Sequence, residues 1–154
     1  MLTTAEIKAK YGQPNEQGTY LLTIKLPYPM RLAWDKSVKV TKMRCHKLVA
    51  DKFLAVFNDL LDHYGYDEIV RLGIDLYGGC FNYRKMRGGT DWSRHSWGIA
   101  IDLDPERNGL KTPYSKSNFA KPEYAALHAI FEKHGFENLG KVAGYDAMHW
   151  QIAA

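Results

Sequence analysis

The stretch Ser93-Arg94-His95-Ser96-Trp97-Gly98-Ile99-Ala100-Ile101-Asp102-Leu103-Asp104 decides how the rest of the chain is read. From Ile99 to Leu103 the side chains alternate with a two-residue period, which predicts a strand entered from Trp97-Gly98. Asp102 stands inside that apolar strand, where a carboxylate is costly to bury without a strong partner. A divalent cation is one such partner; an Arg is another. Gly98 interrupts any continuous strand back to His95. The spacing therefore suits an imidazole on a turn and a carboxylate on the strand that leaves it, both aimed at one point.

A second segment, Asp146-Ala147-Met148-His149-Trp150, lies near the C-terminus. Met148 to Ile152 reads as a closing strand, and His149 sits between two apolar neighbours. A buried, hydrogen-bonded imidazole is the ordinary explanation for such a residue. Taken with His95 and Asp102, it completes a set of two imidazoles and one carboxylate. Three protein ligands leave the fourth position of a tetrahedral zinc open, which is the catalytic arrangement. Asp146 would then be a spare carboxylate, placed to accept a proton from water.

Working outward, Thr3-Thr4-Ala5-Glu6 reads as a capping box opening a short helix that Gly12 and Pro14 close. Tyr20 to Leu26 alternates and predicts a strand, ended at Pro27-Tyr28-Pro29 because proline cannot donate to a ladder. Residues 43 to 64 read as the core helix, with Val49, Phe53, Val56, Phe57, Leu60, Leu61 and Tyr64 as its apolar stripe. His46 and His63 fall off that stripe and read as solvated or capping residues. Ile69 to Tyr83 reads as one or two strands bent at Gly78-Gly79. A polar loop spans about residues 105 to 121. Pro122 opens a helix with Leu127, Ile130, Phe131 and His134 facing inward and His128 on its surface.

At 154 residues, with 45% hydrophobic and 25% charged side chains, one domain over 1–154 is expected. The formal net charge of +4 favours an anionic partner. Lys and Arg are scattered along the sequence, so no nucleic-acid arm is read. No run is long and apolar enough for membrane insertion. Cys45 and Cys80 are read as reduced, partly buried thiols, since Met1 to Glu6 shows no export pattern.

The segment Ser93-x-His95-x-x-Gly98-x-Ala100-x-Asp102, followed by Asp146-x-x-His149-Trp150, resembles the signature of the M15 zinc peptidases. That group holds D-alanyl-D-alanine carboxypeptidases and the L-alanyl-D-glutamate endopeptidases that serve as phage endolysins. The resemblance covers roughly residues 70 to 152 well. The predicted helices and strands, with no repeat or linker between them, make an α+β fold, with a small antiparallel sheet carrying the zinc site and helices on its flanks. The resemblance implies zinc ligation by His95, Asp102 and His149, and Asp146 as the catalytic base. Asp rather than Glu at 146 looks more like the endolysin branch. Arg84 matches the arginine that the family sets against the scissile carbonyl, with Arg87 as the fallback. Ser93 looks like the motif serine that supports the site.

What the resemblance implies about function is a monomeric zinc peptidase that cuts the peptidoglycan stem peptide, as an L-alanyl-D-glutamate endopeptidase of the phage or prophage type. Such a protein is made in the cytoplasm and reaches the wall, in the periplasm, after release. A D-alanyl-D-alanine carboxypeptidase, a non-catalytic zinc-binding module and a structural domain with no metal are the alternatives.

Overall fold

A computed structural model describes residues 1–154. The capping box forms as expected: the Thr3 hydroxyl accepts from the Glu6 amide, and the Glu6 carboxylate accepts from the Thr3 amide. It opens α1 (Thr4–Tyr11). There follow β1 (Leu21–Leu32), β2 (Asp35–His46), α2 (Ala50–Tyr64) and α3 (Tyr66–Leu72). Next come β3 (Leu76–Gly79), β4 (Ala100–Leu103), α4 (Ala125–Lys133), β5 (Phe136–Asn138), α5 (Leu139–Ala143) and β6 (His149–Ile152).

The strands make one sheet in the order β2-β1-β3-β4-β6-β5. The fold is α+β, as expected. The sheet, however, is mixed rather than wholly antiparallel, because β1 and β3 pair in parallel through Arg31–Leu76 and Leu32–Tyr77. That pairing arises because α2 and α3 carry the chain back before β3 begins, as a crossover must.

Three local readings are corrected. β1 runs through Pro27 and Pro29 instead of stopping there. The pairing register with β2 shifts between Lys25 and Met30, so the prolines occupy an irregularity where no ladder donor is required. The core helix begins at Ala50, and residues 35–46 are a strand. Their alternation is masked by Lys and Arg on the exposed side, while Met43 and Cys45 are buried. Residues 69–72 are not extended but complete helix α3 (Tyr66–Leu72), closed by Gly73 in a left-handed conformation.

One apolar core of 30 buried residues joins α2, α4 and the inner side of the sheet. Trp150 stacks on Phe131 at 4.2 Å, and Phe53 packs on Phe136 at 4.6 Å. Cys45 and Cys80 are free and buried, and burial pushes the Cys45 thiol up to about 12. No helix is long and apolar enough to cross a membrane. His63 is exposed, but His46 and His128 are buried rather than on the surface. His46 stacks on Tyr20 and bonds the Tyr11 carbonyl, and His128 bonds the Phe119 carbonyl.

The N-terminal segment braces the turn that precedes β4. Arg94 donates to the Leu2 carbonyl at 2.9 Å and to the Thr4 hydroxyl at 3.2 Å. Trp97 donates its indole proton to the Gly12 carbonyl at 2.7 Å.

Candidate metal centre

Asp102 projects from β4 between Ile101 and Leu103, whose side chains enter the core. Alternation therefore turns the carboxylate to the other face. His149 is its direct cross-strand partner on β6, so the two side chains are neighbours by register alone. On the other side β3 pairs Gly79 with Asp102, and a Cβ on Gly78 would come within 3.0 Å of Asp102. His95 arrives from the 3₁₀ turn Arg94–Trp97, which the Ser93 hydroxyl caps by accepting from the His95 amide at 3.3 Å. Gly98 ends the turn with φ of +69° and packs against the backbone of Cys45 and His46.

The sequence-predicted trio meets. His95 Nε2 lies 3.2 Å from Asp102 Oδ2, and His149 Nδ1 lies 3.4 Å from Asp102 Oδ1. The two rings stand 5.0 Å apart, nearly perpendicular. All three ligand atoms fall within 4.8 Å of one another.

Hydrogen bonding on the far side of each ring decides what these atoms can do. His95 Nδ1 is 2.7 Å from the Cys80 carbonyl, which can only accept, so Nδ1 carries the proton. Nε2 then points a bare lone pair at Asp102. Gln151 donates its amide to the Glu137 carboxylate at 3.1 Å, which turns the Gln151 oxygen toward His149 Nε2 at 2.8 Å. His149 therefore holds its proton on Nε2 and presents a bare Nδ1. Two imidazole lone pairs and a carboxylate facing each other are mutually repulsive unless a proton or a metal cation lies among them; despite its burial, His149 is pushed up by the Asp102 carboxylate. His95 Nε2 and Asp102 Oδ1 are also buried without a hydrogen-bond partner. The donor set, two nitrogens and one oxygen with outer hydrogen bonds fixing both tautomers, fits zinc.

Asp146 sits at the rim in a left-handed conformation, with φ of +66°, uncommon for a residue other than glycine. Its carbonyl accepts from the His149 amide at 3.1 Å, and its Oδ1 is buried without a partner. Burial raises the Asp146 carboxyl above the ordinary carboxylate range, and the Asp102 charge adds to the effect, opposed by His149, His95 and Arg84. For Asp102, burial also pushes upward, and it is positive charge on the facing rings, or on an ion set between them, that holds the carboxyl low. One carboxylate is thus kept ionised and its neighbour is left more basic, the division of labour that acid–base chemistry needs.

Arg84 is half-buried, and its charge reaches Asp146. Its backbone is clamped by Ser96, whose hydroxyl accepts from the Arg84 amide at 3.0 Å and donates to the Arg84 carbonyl at 2.8 Å. Arg87 is exposed in the loop beyond. Sequence reading missed Ser96, Gln151 and Glu137. Ser96 lay within the decisive stretch, and Gln151, two residues beyond His149 on one strand, shares its face.

Residues 87–152 match a protein-family model, Peptidase_M15_4, described as D-alanyl-D-alanine carboxypeptidase. No curated protein and no solved structure matches the chain. The matched segment contains His95, Asp102, Asp146 and His149, with Arg84 just upstream of it. This match supports an M15-family peptidase, a hydrolase of the group that acts on peptidoglycan.

Proposed function

We propose that the chain is a zinc-dependent peptidoglycan peptidase that cuts the stem peptide between L-alanine and D-glutamate, in the manner of a phage or prophage endolysin. The observation that carries the reading is the convergence of His95 Nε2, Asp102 and His149 Nδ1 beside the unpartnered Asp146 carboxylate. The continuous sheet and shared core support residues 1–154 acting as one catalytic domain.

Zinc held by His95, Asp102 and His149 would polarise the scissile carbonyl and bring the pKa of water down toward about 7. Asp146 accepts the proton at Oδ1 and later returns it to the leaving amine. Arg84, its backbone fixed by Ser96, sets its guanidinium against the oxygen on which negative charge develops. The Cys80 carbonyl and the Gln151 oxygen fix the tautomers of the neutral His95 and His149 rings, so each neutral ring already turns its ligating nitrogen inward.

The choice of bond rests on Asp rather than Glu at position 146, which resembles the endolysin branch. A D-alanyl-D-alanine carboxypeptidase is the second reading, favoured by the description of the matching family. Mass spectrometry of products from defined muropeptides, with zinc and with chelator, separates them. Release of the intact stem from L-alanine is expected. Loss of one terminal D-alanine would select the carboxypeptidase, and cleavage unaffected by chelator would overturn the metal assignment.

A further inference from the structure

The charge balance is uneven along the chain. Seven of the 21 Lys and Arg lie within residues 21–47, against one of the 17 Asp and Glu, leaving 14 basic against 16 acidic residues elsewhere. Almost all of this excess sits on the β1–β2 hairpin. Arg31 is spent on Asp75, at 2.7 Å. Lys25, Lys36, Lys39, Lys42, Arg44 and Lys47 are exposed and form no ion pair.

The register sharpens the point. Lys25 stands directly across from Lys42, and Thr23 across from Arg44. Like charges directly opposite each other destabilise a strand pair. Arg44 lies over the ring of Phe81 at 5.2 Å, and Phe81 adjoins Cys80, whose carbonyl fixes His95. The basic row therefore ends at Phe81, one residue along the chain from the carbonyl that fixes His95. At the hairpin tip Trp34 is 71% exposed, a flat apolar plate beside the cations.

We propose that this hairpin face docks peptidoglycan strands through the free carboxylates of their stem peptides, delivering a stem to the His95–Asp102–His149 site. The inference rests on the peptidase reading for its choice of polyanion. The same charge would attract nucleic acid, but a row that ends one residue along the chain from the carbonyl fixing His95 is matched to the peptidase's own substrate. Trp34 offers its ring to the apolar face of a sugar.

The test compares the 154-residue protein with Lys25→Glu/Lys42→Glu, each carrying Asp146→Ala so that the polymer survives. Co-sedimentation with purified sacculi should weaken with rising salt, and the charge-reversed protein should bind about tenfold less. Lys25→Met/Lys42→Met, which keeps the alkyl stems, should bind about threefold less, tying the loss to charge rather than misfolding. With Asp146 intact, both variants should cleave a small soluble muropeptide at the native rate. Equal sedimentation of all proteins, salt-insensitive binding, tighter retention of a DNA duplex than of sacculi, or an equal loss on the soluble muropeptide overturns the proposal. Sacculus binding that persists with its salt dependence, in a protein that cleaves no muropeptide, would sustain the docking surface and remove the peptidase reading.

Discussion

His149 Nε2 and Gln151 Oε1 lie 2.8 Å apart, and Glu137 fixes which end of the Gln151 amide faces the ring. This chain of two bonds sets the tautomer of one candidate ligand. Gln151→Leu removes it without adding charge. Zinc affinity, measured by competition with a chromophoric chelator, should fall about 10- to 100-fold. An unchanged affinity would show that His149 is oriented by other means.

Asp146 is the group whose loss should separate chemistry from metal binding. Asp146→Ala should cut turnover by about a hundredfold or more while zinc content stays stoichiometric. His149→Ala should instead empty the site and lower the melting temperature, because ligation is linked to folding. Metal analysis of both purified variants is the check; zinc lost from the Asp146 variant would make that residue a ligand.

Gly98 has little room for a side chain. Its φ of +69° disfavours one, and a Cβ would meet the His46 backbone nitrogen at 2.9 Å and Leu21 at 2.7 Å. Gly98→Ala should cost about 1–3 kcal/mol and loosen the turn that aims His95. Denaturant unfolding reads the first effect and chelator competition the second. Native stability would refute the close-approach explanation.

Stability should also depend on pH through His128. Burial lowers its pKa below the ordinary 6.5, and its Nδ1 is buried without a partner while Nε2 bonds the Phe119 carbonyl. The unfolded chain then binds the proton more readily, so stability is fully present above 6.5 and declines as pH falls below it. His46, lowered by the same cause, adds to the slope. In chelator-treated protein, His128→Gln should flatten the fall in melting temperature between about pH 7.5 and 5.5; a parallel decline would assign the slope elsewhere.

The centre was more legible in the sequence than the frame around it. Asp102 in an apolar strand and His149 in another announced themselves by the cost of burying them, and their cross-strand register did the rest. Residues 35–46 were misread because a strand with one solvated face full of lysine lacks a clean apolar alternation, and because the strong period of α2 was extended backward over it. Residues 66–72 carry both Ile and Val in a short span, where helix and strand patterns are hard to tell apart. Ser96, Gln151 and Glu137 could not be ranked from sequence, since each acts only through the neighbour that folding supplies.

The grip of Leu2, Thr4 and Gly12 on Arg94 and Trp97 reaches outside the segment matched by the family model. The matched segment starts at residue 87, yet the turn that aims its first histidine is held by residues far upstream of that start. Excised alone, the recognisable half would forfeit its buttress. Leu2, Thr4 and Gly12 thus belong to the apparatus that aims His95, because moving either carbonyl or the Thr4 hydroxyl would unseat the turn.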